Sequence, residues 1–188
     1  MIDLLSKIAV KYHYTLKFLL VHSQRKLFYR NSKSKIHHSF KLGGDNVLDL
    51  APDAVFEFAE NVTLNSNNFI TVKKNASLKI GKETYITRAT ISCLGEIEIG
   101  ENCILGEGMK LFDHNHKYTQ NPFSVSKTDF NVGKIKIGNN VWTGANVTVL
   151  KDVTIGDNCI IGTGVLVHKD VPSNSIIKAK QELITHQI

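Results

Sequence analysis

The chain has 188 residues, 42% of them hydrophobic and 21% charged, with three cysteines and a formal charge of +6. That is one domain's worth of sequence with enough apolar side chains for a core, which excludes wholesale disorder. An odd cysteine count without any Cys-x-x-Cys disfavours a disulfide framework or a zinc ribbon and fits a reducing, cytoplasmic setting. No apolar run approaches the ~18 residues a membrane span needs, and no secretory signal is expected.

The first element is a basic arm. Residues 1–41 hold nine Lys/Arg (Lys7, Lys11, Lys17, Arg25, Lys26, Arg30, Lys33, Lys35, Lys41) against Asp3 alone, a net +8, while the remaining 147 residues carry −2. Leu5, Ile8, Ala9, Tyr12, Leu16, Leu19 and Leu20 follow the 3.6-residue period, so an amphipathic helix is predicted. Such a helix can pack its stripe on the body or on a neighbouring subunit, or lie on an anionic membrane surface. A nucleic-acid partner is not expected.

The body repeats itself. Ile135-Lys136-Ile137-Gly138-Asn139-Asn140-Val141 returns as Val153-Thr154-Ile155-Gly156-Asp157-Asn158-Cys159 and precedes in Ile97-Glu98-Ile99-Gly100-Glu101-Asn102-Cys103. Leu78-Lys79-Ile80-Gly81 opens another copy and Phe56-Glu57-Phe58-Ala59-Glu60-Asn61-Val62 is a weaker one. A shorter beat of six runs through Ile137-Gly138, Thr143-Gly144, Val149, Ile155-Gly156, Ile161-Gly162 and Val167. Three six-residue faces make one coil of a triangular solenoid. One aliphatic side chain per face points inward, and stacking of coils builds the core. Glycine is expected to turn the corner through positive φ, with the later Asn capping the turn. Cys103 and Cys159 share the slot of Val62 and Val141, so they read as small apolar packers. A helical repeat is poorly supported by so many β-branched residues and glycines.

The copies fall at Phe58, Ile80, Ile99, Ile137 and Ile155, so the third step is 20 residues longer than one coil. The excess spans Phe112 to Gly133 and contains Asp113, His114, Asn115, His116 and Pro122. Long loops in compact folds are often functional. The expected organisation is an arm over 1–41, a solenoid over 42–177 with an extended loop about 112–133, and a tail over 178–188.

These features together resemble the hexapeptide-repeat acyltransferases: the Ile/Leu/Val-Gly beat, the excursion opening with Asp113-His114-Asn115-His116, and the run Ile137-Gly138-Asn139-Asn140-Val141-Trp142-Thr143-Gly144-Ala145. The similarity covers about residues 45–175 and is to the galactoside, maltose, virginiamycin and capsular-polysaccharide O-acetyltransferase branch. It implies a left-handed parallel β-helix, here following the N-terminal α-helical arm read from the 3.6-residue period, a homotrimer with sites at the subunit interfaces, and acetyl-CoA as acyl donor. In the family the catalytic histidine stands 16 residues after the glycine of the repeat preceding the loop, and counting from Gly100 gives His116. His114, two residues away, shares its face in an extended segment and is the alternative.

The chemistry asks for such a residue. A sugar hydroxyl is a weak nucleophile near neutral pH, and an imidazole can take its proton as it attacks a thioester. Backbone N–H groups near a coil corner would hold the oxyanion. Asp113 or Glu107 is expected to orient an imidazole. The resemblance further implies that Asp113 and Trp142 border the acceptor. It assigns Trp142, Gly144, Ala145, Gly162, Thr163, His168 and Lys169 to the coenzyme, with glycines giving close approach, while Lys169, Lys178 and Lys180 are expected to meet phosphates from their charge and their place at that end of the chain. The segment Lys178-Ala179-Lys180-Gln181-Glu182-Leu183-Ile184 lacks the Gly-x-Pro that follows the last coil in relatives.

The function expected is an O-acetyltransferase for a sugar or polysaccharide hydroxyl, with no metal required. The alternatives are another acceptor (an antibiotic hydroxyl or an amino-sugar amine) and a non-catalytic assembly solenoid. A carbonic-anhydrase-like zinc enzyme needs three histidine ligands, and the two paired histidines are too few without His168.

Overall fold

The computed structural model describes residues 2–180, with side chains from Ser6 onward. A long helix, α1 (Ile2–Leu27), precedes a stack of short parallel strands. Each coil runs over three faces. The first face holds β1 (Lys35–Ile36), β4 (Val55–Phe58), β7 (Ser77–Ile80), β10 (Glu96–Ile99), β15 (Lys134–Ile137) and β18 (Val153–Ile155). The second holds β2 (Lys41–Leu42), β5 (Thr63–Leu64), β8 (Tyr85–Ile86), β11 (Ile104–Leu105), β16 (Trp142–Thr143), β19 (Ile160–Ile161) and β21 (Ile176–Ile177). The third holds β3 (Val47–Leu50), β6 (Phe69–Val72), β9 (Thr90–Cys93), β12 (Lys110–Phe112), β17 (Thr148–Leu150) and β20 (Leu166–Val167).

This is the parallel β-helix with a helical arm that the repeat predicts. Phe58 pairs with Ile80, Ile80 with Ile99, Ile99 with Ile137 and Ile137 with Ile155. Those are the partners the sequence periods require. The physical cause is alternation. Each strand points every second side chain inward, so an aliphatic residue at a fixed beat lands on its counterpart one coil away. Leu64, Ile86, Leu105 and Ile161 stack on the second face, and Ile70, Ile91, Leu111 and Val149 on the third, all buried. Burial stabilises each such side chain by about 1.5–3 kcal/mol. Cys93, Cys103 and Cys159 are free and buried, with Cys93 stacked on Val72 and the other two just ahead of β11 and β19. Burial, and for Cys93 also the nearby Asp113 carboxylate, pushes the Cys93 and Cys103 thiols up.

The corner glycines do a different job from the one expected. Gly81, Gly100, Gly138 and Gly156 do not sit at positive φ; the residue two positions after each, or after its equivalent, does, as Asn61, Asn102, Asn140, Asn158 and Asn174 at 54–62° and as Glu83 after Gly81 at 56°. Asparagine tolerates that region because its short polar side chain bonds locally. Here the side chains also bond along the stack. Asn140 Nδ2 donates to Asn158 Oδ1 at 3.0 Å, and Asn158 Nδ2 to Asn174 Oδ1 at 3.0 Å. The glycines are required by contact between coils. A Cβ on Gly100 would lie 2.5 Å from Gly138 O, and one on Gly81 2.6 Å from the Gly100 carbonyl carbon.

The solenoid also starts earlier than the sequence suggests. Lys35 and Ile36 pair with Glu57 and Phe58, and Lys41 and Leu42 with Thr63 and Leu64. Residues 35–42 are therefore part of a first coil rather than of the arm. Its glycine-free corner, His37-His38-Ser39-Phe40, hides it from a pattern search. The open end of the stack is plugged by Phe28, just beyond α1. Its ring lies 4.9 Å from Phe56, 5.5 Å from Phe58 and 5.6 Å from Phe40, in tilted or edge-on geometry. Arg25 lies over the Phe40 ring and donates to His38 O at 2.8 Å. A solenoid end needs such a cap because its last coil has no neighbour to bury its inner face. Of the C-terminal tail, residues 181–188 lie outside the described residues, as does the Leu5 side chain.

Candidate active site

The long excursion is a β-hairpin. It leaves the third face after Phe112 and returns to the first at Gly133, through β13 (His114–Gln120) and β14 (Phe123–Val132). The strands turn at Asn121-Pro122. The segment is rich in β-branched and aromatic residues, which suit an antiparallel ribbon. His114 pairs with Val132 and His116 with Phe130, with an irregularity before Tyr118. The two histidines share one side of the ribbon, as their i, i+2 spacing dictates. The Phe130 ring contacts both, at 5.1 Å from His114 and 4.6 Å from His116.

Asp113 anchors the hairpin. It is fully buried. Its carboxylate accepts Leu94 N–H at 2.9 Å and Gly95 N–H at 2.8 Å from the preceding coil, and its carbonyl accepts Gly133 N–H at 2.7 Å. Asp152 and Asp170 make related bonds one and two coils further on, accepting Lys134 N–H at 3.3 Å and Thr154 N–H at 2.7 Å. The same carboxylate lies 3.0 Å from His114 Nδ1. Asp113, expected at the acceptor, has its carboxylate enclosed and bonded to Leu94, Gly95 and His114. The choice between Asp113 and Glu107 as an imidazole partner is resolved for His114. Glu107 is turned to Arg88 at 2.7 Å on another corner.

His116 is held differently. Its Nδ1 lies 2.8 Å from the carbonyl oxygen of Ser126 across the ribbon. A carbonyl can only accept, so Nδ1 carries the hydrogen and Nε2 is left with a lone pair in the neutral ring. A local turn sets that carbonyl, because Ser126 Oγ donates to Asp129 Oδ2 at 2.9 Å and accepts Asp129 N–H at 2.9 Å. His116 is exposed, whereas the His114 side chain is only 13% exposed. Ser126 and Phe130 join the candidate site through these contacts, and the sequence reading did not name them. An Asn-Pro turn between two alternating runs was the available signal.

The remaining candidates divide between corners. Gly144 and Ala145 stand at the corner between the second and third faces, with Gly162 and Thr163 directly beneath them. Gly144 N donates to Ile161 O at 2.7 Å and Gly164 N to Ala145 O at 2.9 Å. Lys178 joins this column, its Cα 3.6 Å from where a Gly162 Cβ would be. Lys180 lies just beyond, exposed. His168 and Lys169 follow β20, at the end of the third face, and so occupy a different corner. The space at Gly144 is filled by the next coil, since a Cβ there would lie 2.6 Å from Thr163 Oγ1. Gly164 is the open position: at φ 72°, a Cβ would meet nothing within 4 Å.

Trp142 lies on the second face, 53% exposed. It is one rung of an outward apolar ladder in which Tyr85, Ile104, Trp142, Ile160 and Ile176 are successive strand partners. One chain therefore keeps Trp142 and the paired histidines on separate sides of the triangle. Among the described residues, no group of three His, Cys, Asp or Glu side chains is placed to share a metal ion.

Coils of 18 to 22 residues, broken by one histidine-bearing ribbon, make a hexapeptide-type β-solenoid. Residues 134–169 match the family model for the bacterial transferase hexapeptide, described as six repeats. The chain is 29% identical over 148 residues to the galactoside O-acetyltransferase of Escherichia coli K12, covering 77% of this chain and 62% of that one. It is 34% identical over 129 residues to the bifunctional protein GlmU of Streptococcus mutans, covering 68% of this chain and 23% of that one. The crystal structure of the polySia specific acetyltransferase NeuO superposes with a TM-score of 0.56 at 20% identity, covering 79% of this chain and 77% of that one, a likeness of fold. The chain spans less than two thirds of the length of these curated relatives.

Proposed function

We propose that this protein is an acetyl-CoA-dependent O-acetyltransferase for a sugar or polysaccharide hydroxyl, with His116 as general base. The observation that carries the reading is the 2.8 Å contact from His116 Nδ1 to the Ser126 carbonyl on an exposed ribbon. It leaves Nε2 as a base that an acceptor can reach. His116 then takes the hydroxyl proton as the acceptor oxygen attacks the acetyl carbonyl. The new C–O bond forms, the C–S bond breaks, and the proton passes from His116 to the departing thiolate. General-base help of this kind contributes about 10²–10⁴-fold. His114, tied to a buried carboxylate and mostly covered, supports the ribbon's shape. The name of the Escherichia coli relative, at 29% identity, is consistent with a galactoside-like hydroxyl as acceptor.

The column Gly144, Ala145, Gly162, Thr163 and Lys178 is the candidate cradle for the acyl donor, which supplies an acetyl thioester when bound. The bare backbone at Gly164 fits a ligand arm lying along that corner, and Lys178 and Lys180 fit its phosphates. His168 and Lys169 would serve only from the neighbouring corner. We further propose a homotrimer. The exposed ladder from Tyr85 to Ile176 is an apolar strip of the sort buried between subunits. A site that unites Trp142 with the histidine ribbon needs two copies of the chain, because one copy keeps them apart. Three free, buried cysteines support a cytoplasmic setting.

The test is acetyl-CoA-dependent thiol release with a panel of sugars, oligosaccharides and amino sugars, on wild type, His116→Ala and His114→Ala. Acceptor-dependent release lost in His116→Ala and largely kept in His114→Ala is expected, with mass by sedimentation unchanged. Full activity in His116→Ala removes it as the base. Turnover with amines alone replaces the hydroxyl acceptor. Absence of both turnover and acetyl-CoA binding by calorimetry leaves an assembly solenoid.

A further inference from the structure

The face of α1 that packs on the solenoid is not its apolar stripe. The docking residues are polar or lie near the C-terminal end. Lys17 Nζ bonds Asp45 Oδ2 at 2.6 Å, Gln24 Nε2 donates to Asn46 O at 2.7 Å, and Phe28 enters the core. With 3.6 residues per turn, Lys17, Val21, Gln24 and Phe28 share one arc, and Ile8, Tyr12, Leu16 and Leu19 share another about 150° away. Those four are 42%, 73%, 59% and 56% exposed. Tyr14 and Phe18, farther round, are exposed as well. A 26-residue helix is thus held by one flank and presents an aliphatic and aromatic stripe to the outside. A row of large apolar residues on a helix is stable only when something covers it.

We infer that α1 is an interfacial helix that docks the protein onto an anionic lipid surface. Charge decides between the occupants. Lys11 and Lys26 are exposed on the edge of the stripe or within its arc, and residues 1–34, ahead of the first coil, carry +6. A second copy offers an equally basic arm and a body with no net charge over residues 35–188, so it supplies no matching field. An anionic bilayer supplies both an apolar boundary for Leu16 and Leu19 and negative headgroups for the lysines. Tyr12, within the stripe, is a ring system of the kind that settles at headgroup depth. The helix lies on the surface and does not cross it: no helix among the described residues is long and apolar enough to span a membrane. The inference is independent of acetyl transfer.

The experiment is co-sedimentation of the full chain with vesicles of phosphatidylcholine alone and of phosphatidylcholine with phosphatidylglycerol. Wild type, Leu16→Glu/Leu19→Glu and the charge reversal Lys11→Glu/Lys26→Glu are compared, with no acetyl-CoA present. Binding to the anionic vesicles only is expected. It should weaken at least tenfold in either variant and fall with added salt. Far-UV circular dichroism and sedimentation mass without lipid should stay those of wild type. Equal behaviour toward both vesicles, or full binding by the charge-reversal variant, overturns the inference. A fall in oligomeric mass of Leu16→Glu/Leu19→Glu without lipid also overturns it and makes a second copy the occupant.

Discussion

The stacked coils and the histidine ribbon are built on opposite rules. In the coils every inward position is backed by a like residue above and below, as in the column Phe58, Ile80, Ile99, Ile137 and Ile155. In the ribbon most side chains are exposed, and its two histidines are each held by a single polar contact on Nδ1. The coils are over-determined, so their residues are chosen for size and shape. The ribbon leans on that rigidity through one buried aspartate, so its outer residues are free to be chosen for chemistry. Sites placed on a projection from a rigid scaffold follow this division.

Substitutions can break or sharpen that contrast. The largest effect is expected at the coil contacts. Gly100→Val places a branched side chain where a Cβ alone would lie 2.5 Å from Gly138 O, and backbone cannot give way without parting two coils. A loss of about 3 kcal/mol or more, or insoluble protein, is expected by chemical denaturation. Next comes the end cap. Phe28→Ala removes a fully buried ring from the cluster with Phe40, Phe56 and Phe58 and should cost about 3–5 kcal/mol. A much smaller loss would mean that the first coil is stable without its plug. In the ribbon, His116→Ala should leave the denaturation midpoint within about 0.5 kcal/mol of wild type. Destabilisation on the scale of Phe28→Ala would show the ribbon to be part of the fold's support.

The smallest effect is an ion-pair clamp astride the ribbon's insertion point. Glu96 lies 2.8 Å from Lys79 and 3.0 Å from Lys134, on the coils before and after its own. The Lys79 ammonium first, then that of Lys134, holds the Glu96 carboxyl below its usual range. A depressed folded value means the stabilisation is present above the ordinary carboxylate pKa of about 4.5 and is lost as pH falls through the folded value. Glu96→Gln should cost about 0.2–1 kcal/mol at neutral pH, with the gap closing in acid. A gap that persists at pH 2 would assign the loss to shape rather than charge.

Much of the fold was legible because periodicity states which way a side chain points. The steps between repeats located the coil partners and the inserted ribbon before any coordinates. The first coil was not legible, since His37 and Phe40 replace the usual glycine and small apolar residue there. The role of the glycines was misread for a similar reason. A sequence displays which residues tolerate positive φ, but not that Asn102 and Asn140 take it while Gly100 makes room for the next coil. Within the ribbon, the histidine pair and the adjacent aspartate were visible as letters.

Which partner each histidine found was decided only in three dimensions. Asp113 is the immediate chain neighbour of His114, yet its carboxylate also had to close a corner on Leu94 and Gly95, some 19 residues earlier in the chain. His116 meets Ser126 only because the ribbon's register brings them together. The helix tells the same story. Its apolar stripe follows from the 3.6-residue period, but the flank that docks follows from Lys17 finding Asp45 and Phe28 filling the open end. By itself the sequence determined period, core columns and which side chains are candidates for the site, since these depend on local order and side-chain type. Tertiary structure decided partners, exposure and direction, since these depend on distances between residues far apart along the chain.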